Sequence, residues 1–180
     1  MSIYDEHLDK NAANYVALTP LSFLRKAASV YPDYTATIYG ERSISWRNTY
    51  ARVIALASAL SKHGVTKGTT VAAMLPNIPA MFELHYAPAM LGAVLNTLNT
   101  RLDAETIAFM LDHGEAKVLF TDREFSGVVE KALTLVKHKP LVIDVDDITF
   151  TGGKLLGEIE YENFLESGDK NFVWQLPDDE

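Results

Sequence analysis

The sequence contains no cysteine, which removes disulfides, thiol nucleophiles, iron–sulfur clusters and thiolate zinc sites from consideration. Other signatures are missing too. There is no G-x-G-x-x-G run for a dinucleotide and no G-x-S-x-G elbow for a serine hydrolase. Basic charge is scarce. Sixteen Lys and Arg face 24 Asp and Glu, a formal net charge of −8, which argues against a nucleic-acid or anionic-membrane surface. Long apolar runs are also lacking. The longest uncharged stretch, Leu84 to Thr100, is 17 residues and holds Pro88, Gly92, Asn96 and Asn99, too short and too interrupted for a spanning helix. The opening MSIYDEHLDK is polar and acidic, unlike a signal or transit peptide. The expectation is a soluble, cytoplasmic protein without a membrane span.

What is present is an ordinary globular composition. With 180 residues, 48% apolar and 22% charged, the chain is long enough to bury one real core. Its acid is concentrated: residues 144–180 hold eleven Asp and Glu against two Lys, so the remainder is close to neutral. A solvated surface is the simple reading of that stretch, and an interaction tail is the alternative.

Thr19-Pro20 opens a short helix that Pro32 closes, because proline disfavours helical backbone before it. Thr35 to Tyr39 and Ser43 to Ser45 flank Gly40-Glu41-Arg42 and read as a hairpin. Ser45 caps a helix whose Tyr50, Val53, Ile54, Ala57 and Leu60 share a face, and His63-Gly64 ends it. Apolar runs at Val71–Leu75, Val94–Leu98, Lys117–Thr121 and Leu141–Val145 then read as strands, with a helix in each gap. The first helix, Ile78 to Leu91, is apolar nearly all round and carries Pro88, which predicts a kink. The second is capped by Asp103, buries Ala104, Ile107, Ala108 and Leu111, and stops at Gly114. The third buries Phe125, Val128, Val129, Ala132, Leu135 and Val136 and ends in Lys137, His138 and Lys139, cations suited to a helix C-terminus.

This alternation predicts an α/β fold: a parallel sheet with helices on both faces, preceded by a helix and a small hairpin. The expected organisation is an N-terminal helix–hairpin–helix segment over 1–65, a parallel α/β subdomain over 66–147 and an acidic connecting segment over 148–180. Ligands of such sheets bind beyond the carboxyl ends of the strands. Here those ends are Leu75-Pro76-Asn77, Asn96 to Arg101, Thr121-Asp122-Arg123 and Asp144 to Asp147.

Candidate chemistry in the residues is thin. Gly152-Gly153-Lys154 lacks the first glycine and the Ser/Thr of a P-loop, and a turn explains it better. Lys67-Gly68-Thr69-Thr70 precedes a strand, the wrong end of the sheet, and reads as a turn. None of the five histidines has a partner at zinc-helix spacing. His63 and His113 stand before helix-ending glycines, and His85 reads as a satisfied core or interface histidine. Asp144, Asp146 and Asp147 could gather around Mg²⁺, but a solvated strand exit is simpler. No catalytic constellation is visible in composition and spacing.

Several segments, taken in order, carry a resemblance. They are Thr70 to Asn77, Ile78 to Glu83, Gly92 to Leu102, Glu105 to Phe109, His113 to Phe120 with Asp122, and upstream Leu18 to Leu24 and Tyr39 to Arg42. Together they resemble the N-terminal part of the adenylate-forming, AMP-binding acyl-CoA synthetases, across nearly all of residues 15–180. The LNTLNTRLDA wording is most similar to medium-chain fatty acyl-CoA ligases, 3-methylmercaptopropionyl-CoA ligases and plant acyl-activating enzymes. The resemblance implies an acid–CoA ligase that uses ATP, Mg²⁺ and CoA and activates a carboxylic acid through an acyl-adenylate. It also implies that the Ser/Thr/Gly-rich phosphate loop would follow Glu180, with Leu176 to Glu180 as a linker toward it, so that this chain alone is inactive. No catalytic residue and no metal ligand is carried over. Only Asn99, Thr100 and Arg101 match a family segment near the CoA entry path; the structural alternative for Arg101 is an ion pair with Asp103. In the family the segment before about residue 65 packs partly against later strands, so exposed apolar surface and a homo-oligomer are expected here. A stand-alone α/β small-molecule-binding module, or an interaction protein using its acidic end, remains the alternative.

Overall fold

Side-chain alternation along the central strands sets the architecture. In the computed structural model, which describes residues 4, 6–7, 9–16, 19–147 and 149–176, Val71, Ala73, Val118, Phe120 and Ile143 point to one face of a sheet. Ala72, Met74 and Leu119 point to the other, and all of these are buried. Strands buried on both faces read as continuous apolar runs, as these do.

The chain begins with α1 (Pro20–Val30), capped by Thr19, whose hydroxyl accepts the Leu21 N–H at 3.3 Å. A hairpin of β1 (Thr35–Tyr39) and β2 (Arg42–Ser45) follows, turning at Gly40, where φ is +57°. Ser45 then caps α2 (Trp46–Lys62) by accepting the Asn48 N–H. The sheet is built from β3 (Thr70–Met74), β4 (Val94–Thr97), β5 (Ala116–Asp122), β6 (Leu141–Val145) and β7 (Ile159–Glu160), all parallel, in the order β4-β3-β5-β6-β7. The helices α1, α2, α3 (Pro79–Leu84) and α6 (Tyr161–Glu166) pack on one face, and α4 (Ala104–His113) and α5 (Ser126–Leu135) on the other.

Three expectations are corrected. The helix over Ile78–Leu91 is broken rather than kinked: α3 stops at Leu84, and after a turn a single 3₁₀ turn covers Ala89–Leu91. Pro88 cannot donate to the Leu84 carbonyl and its ring crowds it, so the helix ends there. The helix α5 ends at Leu135, two residues before the cationic cluster. Val136 turns extended, and the Asp112 carboxylate accepts the N–H of Lys137 at 3.0 Å and of His138 at 3.4 Å; Leu135 is exposed rather than buried. The acidic stretch is not simply solvated surface. It contributes β7 and α6, whose Tyr161, Phe164 and Leu165 enter the core, with Phe120 edge-on to Tyr161 and Phe164 at 6.0 and 5.8 Å. Leu18 and Pro177 to Glu180 lie outside the described residues.

Candidate functional site

Counted from β3, the strand order is 2-1-3-4-5, and the direction of the connections reverses between β3 and β5. In a doubly wound sheet ligands enter beyond the carboxyl ends at such a reversal, where the diverging loops leave a crevice. The loops there are Leu75-Pro76-Asn77 after β3 and Asp122-Arg123 after β5, with Asp146-Asp147 close by after β6.

Of the aspartates after β6, Asp144 and Asp147 are buried rather than a solvated exit, while Asp146 is exposed. Asp144 is buried and accepts the N–H groups of Leu156 at 2.9 Å and Gly157 at 2.6 Å, pinning the long β6–β7 connection. Asp146 pairs with Arg123 at 2.6 Å, and the same guanidinium donates to the Gly152 carbonyl at 2.8 Å. Asp147 accepts from the Tyr39 hydroxyl and from the Thr149 hydroxyl and N–H. Each carboxylate answers a different donor because each loop closes over a different neighbour. Among the described residues, no three His, Asp or Glu side chains gather as metal ligands.

Asp122 differs from these. It is 1% exposed; its Oδ1 caps the following turn through the Glu124 N–H at 2.8 Å, while its Oδ2 is buried with no partner. Burial raises its pKa above the ordinary aspartate value, and the neighbouring Asp147 charge raises it further. Asp147 is held low instead: the donors Tyr39 and Thr149 outweigh its own desolvation.

Asn99, Thr100 and Arg101 follow β4, the edge strand, and all three are exposed. The Asn99 side chain accepts the Arg101 N–H at 2.9 Å and shapes the turn. The ion pair expected between Arg101 and Asp103 does not form. Asp103 instead caps α4 through the Thr106 N–H at 2.7 Å, which lowers its pKa, so the Arg101 guanidinium is left facing solvent.

Two small cavities lie at this end of the sheet. One of about 270 Å³ is lined by Ile38, Asn77, Met81, Phe82 and His85, and one of about 220 Å³ by Tyr39, Arg42, Asp146, Asp147 and Glu160. A larger depression, about 850 Å³, lies at the opposite, amino end around Lys67 to Thr70, Gly114 and Lys117. There the turn is closed by its own bonds, Thr66 N–H to Thr69 Oγ1 and Gly68 N–H to the Gly92 carbonyl. Strand-end geometry, not size, makes the carboxyl end the candidate. The remaining motifs are structural. His63 and His85 each bond a carbonyl one helical turn back, and His85 is exposed rather than core. Gly153 is a tight turn: φ is +69°, and a Cβ would meet the Arg123 carbonyl oxygen at 1.9 Å.

One polar cluster escaped the sequence reading. Glu83 on α3 is 1% exposed, accepts from Arg52 Nε at 2.5 Å and Nη2 at 3.2 Å, and takes the Tyr161 hydroxyl at 2.5 Å. Arg52 also holds Glu162 with two bonds of 2.8 Å. The signal was present, since Glu83 is the one charge between Lys67 and Arg101. Only folding brings α2, α3 and α6 to it.

The geometry defines a doubly wound α/β unit with a crevice candidate at the carboxyl end of its parallel sheet. Residues 24–171 match the family model described as AMP-binding enzyme. The chain belongs to the AMP-binding, adenylate-forming enzyme family. It is 44% identical to the acetate–CoA ligase CCL3 of Humulus lupulus and 46% identical to the peroxisomal acetate/butyrate–CoA ligase AAE7 of Arabidopsis thaliana. In both cases the match covers 97% of this chain and 33% of the relative. Its structure superposes on a putative long-chain-fatty-acid CoA ligase from Rhodopseudomonas palustris with a TM-score of 0.73 at 26% identity, over 90% of this chain and 39% of that one. With an anthranilate CoA ligase solved with anthranoyl-AMP the TM-score is 0.80 at 17% identity, over 93% and 32%, a likeness of fold. The chain thus spans about a third of the length of the curated relatives it matches.

Proposed function

We propose that this chain serves as the N-terminal portion of an ATP-dependent acid–CoA ligase, forming one wall of its reaction cleft. The observation that carries the reading is the family match over residues 24–171 together with 44–46% identity to two plant CoA ligases along nearly the whole chain. In the reaction proposed for the whole enzyme, a carboxylate oxygen attacks the α-phosphorus of ATP and pyrophosphate leaves. The CoA thiolate then attacks the acyl carbon of the acyl-adenylate and AMP leaves. Mg²⁺ would neutralise phosphate charge, a need that backbone N–H groups and a lysine share in such reactions.

The described residues do not fit that metal and nucleotide by themselves. The strand-end aspartates are committed to Arg123, Tyr39 and backbone donors, and no glycine-rich phosphate loop is present in the sequence. No step is therefore assigned to a side chain here. The contribution of this chain is scaffolding, with Asn99, Thr100 and Arg101 as the residues offered to CoA by the loop after β4. The acid is a short or medium-chain carboxylic acid, in keeping with the acetate and butyrate in the relatives' names. The setting we assign is the cytoplasm, although the Arabidopsis relative is named as peroxisomal. Among the described residues, no helix is long and apolar enough to cross a membrane.

The test is carboxylate-dependent exchange of labelled pyrophosphate into ATP. The isolated chain is expected to show none, and the same chain joined to the remaining two thirds of a relative is expected to show it. Exchange by the isolated chain would overturn the scaffolding role. Failure of the joined protein to adenylate any of a panel of two- to eight-carbon acids would overturn the ligase reading.

A further inference from the structure

We propose that the depression at the amino end of the sheet is a binding site for a small anion carrying two or more linked phosphate groups, held by Lys67, Lys117 and Lys139. The three lysines come from three adjacent strand entries. Lys67 lies three residues before Thr70, the register partner of Ala116 on β5, and Lys117 is the next residue of β5. Lys139 lies two residues before Leu141, the register partner of Val118. All three line one open depression of about 850 Å³, a size suited to a small-molecule ligand. Two glycines make room for them. At Gly64 a Cβ would meet Lys117 Nζ at 2.6 Å, and at Gly92 one would meet Lys67 Cγ at 3.2 Å, so bare backbone lets each lysine stem lie close. Lys117 is fixed there by donating to the Gly64 carbonyl at 2.7 Å, which leaves two of its three N–H donors for a ligand.

Helix ends and carboxylates do not account for these cations. A helix dipole acts within its last turn, yet Lys139 stands four residues beyond the end of α5 at Leu135, and Lys67 five beyond the end of α2 at Lys62. Neither Lys67 nor Lys139 forms an ion pair among the described residues. Two carboxylates line the same depression. Asp112 is spent on the N–H groups of Lys137 and His138, and Glu115 is exposed, in the left-handed region at φ +49°. Three lysines against two carboxylates make a local cationic surplus in a chain of net charge −8. An ammonium is a compact point charge that suits phosphate oxygens. Neighbouring strands lie about 4.8 Å apart, so the three strand entries spread over roughly 10 Å, a span that suits linked phosphates better than a single one. The site lies at the opposite end of the sheet from Asn99, Thr100 and Arg101, and it stands independently of the ligase reading.

The experiment is calorimetric titration of the unaltered chain with sodium tripolyphosphate at pH 7 and fixed ionic strength, with the site located by amide chemical-shift changes. Saturable binding is expected, weaker for orthophosphate, with shifts at residues 67–70, 114–117 and 138–139 and none at 99–101. Lys67→Gln combined with Lys139→Gln should weaken it by at least about tenfold, since each change removes a charge-assisted bond. Glu115→Gln should tighten it. Lys26→Gln combined with Lys131→Gln alters the net charge equally on α1 and α5, away from the depression, and should leave binding unchanged. All five side chains are exposed, so the variants keep the fold. ATP tells the source of the phosphates. ATP binding as tight as that of tripolyphosphate, and lost in the same double variant, supports the site as one for a nucleotide's phosphate tail; tripolyphosphate binding without ATP binding supports it as one for the free anion. Absence of tripolyphosphate binding overturns the proposal, as does binding that survives Lys67→Gln with Lys139→Gln, or that falls equally in the control pair. Shifts confined to residues 99–101 overturn it too.

Discussion

Replacing Arg52 with alanine tests the packing logic of the whole molecule. The guanidinium is the donor for two bonds to buried Glu83, whose side chain is 2% exposed, and for two more to Glu162, which is half in water. Removing it leaves Glu83 facing only the Tyr161 hydroxyl in an apolar interior. Breaking a buried pair from one side costs about 3–5 kcal/mol, a large part of the 5–15 kcal/mol typical of a whole domain. The Glu162 contribution is small, under about 1 kcal/mol, because that carboxylate stays hydrated. The pH dependence then identifies the cause. Burial raises the Glu83 pKa even with Arg52 present, so its stabilising contribution is complete below the ordinary glutamate value and is lost as pH rises through the folded-state titration. Without Arg52 that titration moves higher and the loss deepens. Urea denaturation followed by the fluorescence of Trp46 and Trp174 should therefore show Arg52→Ala costing more at pH 8 than at pH 5. Glu162→Ala should cost little at either pH, and Arg52→Leu combined with Glu83→Leu should recover most of the loss. A cost below 1 kcal/mol, or one that does not change with pH, would refute the account of Glu83 as a buried charge dependent on Arg52.

Two other outcomes follow from the packing. Gly168→Ala brings a Cβ to within 2.0 Å of the Ala55 carbonyl oxygen on α2; it should destabilise the chain by about 1–3 kcal/mol in the same assay, and an unchanged midpoint would contradict the close approach. Phe23, Tyr34 and Ile38 are exposed at 61%, 70% and 76%, so the chain on its own should self-associate through this apolar surface. Light scattering at high micromolar concentration should report a dimer or larger, and a monomer would count against it.

Much of the fold was legible because it is written locally. The caps Thr19, Ser45 and Asp103 lie where the sequence places them, since a hydroxyl or carboxylate that answers free N–H groups needs only its own next few residues. The runs at Val71–Leu75, Lys117–Thr121 and Leu141–Val145 are strands because a nearly unbroken apolar stretch fits a sheet covered on both faces, and Val94–Leu98 joins them as the half-exposed edge. Pro88 showed that its helix would be disturbed; whether it would bend or break depended on how β4 had to be reached. The short β7 gave no signal, because its two residues are strand only by virtue of pairing with Ile143 and Asp144.

The candidate site divides along the same line. The positions of the strand-end loops follow from chain order, and so do Asn99, Thr100 and Arg101, which stand in solvent after β4. What each side chain does there belongs to the tertiary structure alone. Arg101 and Asp103 are two residues apart yet unpaired, because the free N–H groups of α4 claim the carboxylate first. Tyr39 and Asp147 are 108 residues apart yet bonded, because the hairpin and the β6 exit converge on one edge. Short-range hydrogen bonding and periodicity are properties of a segment, so the residues carry them openly. Burial, and the charge states it imposes on Glu83 and Asp122, exists only once distant segments have excluded water from one another.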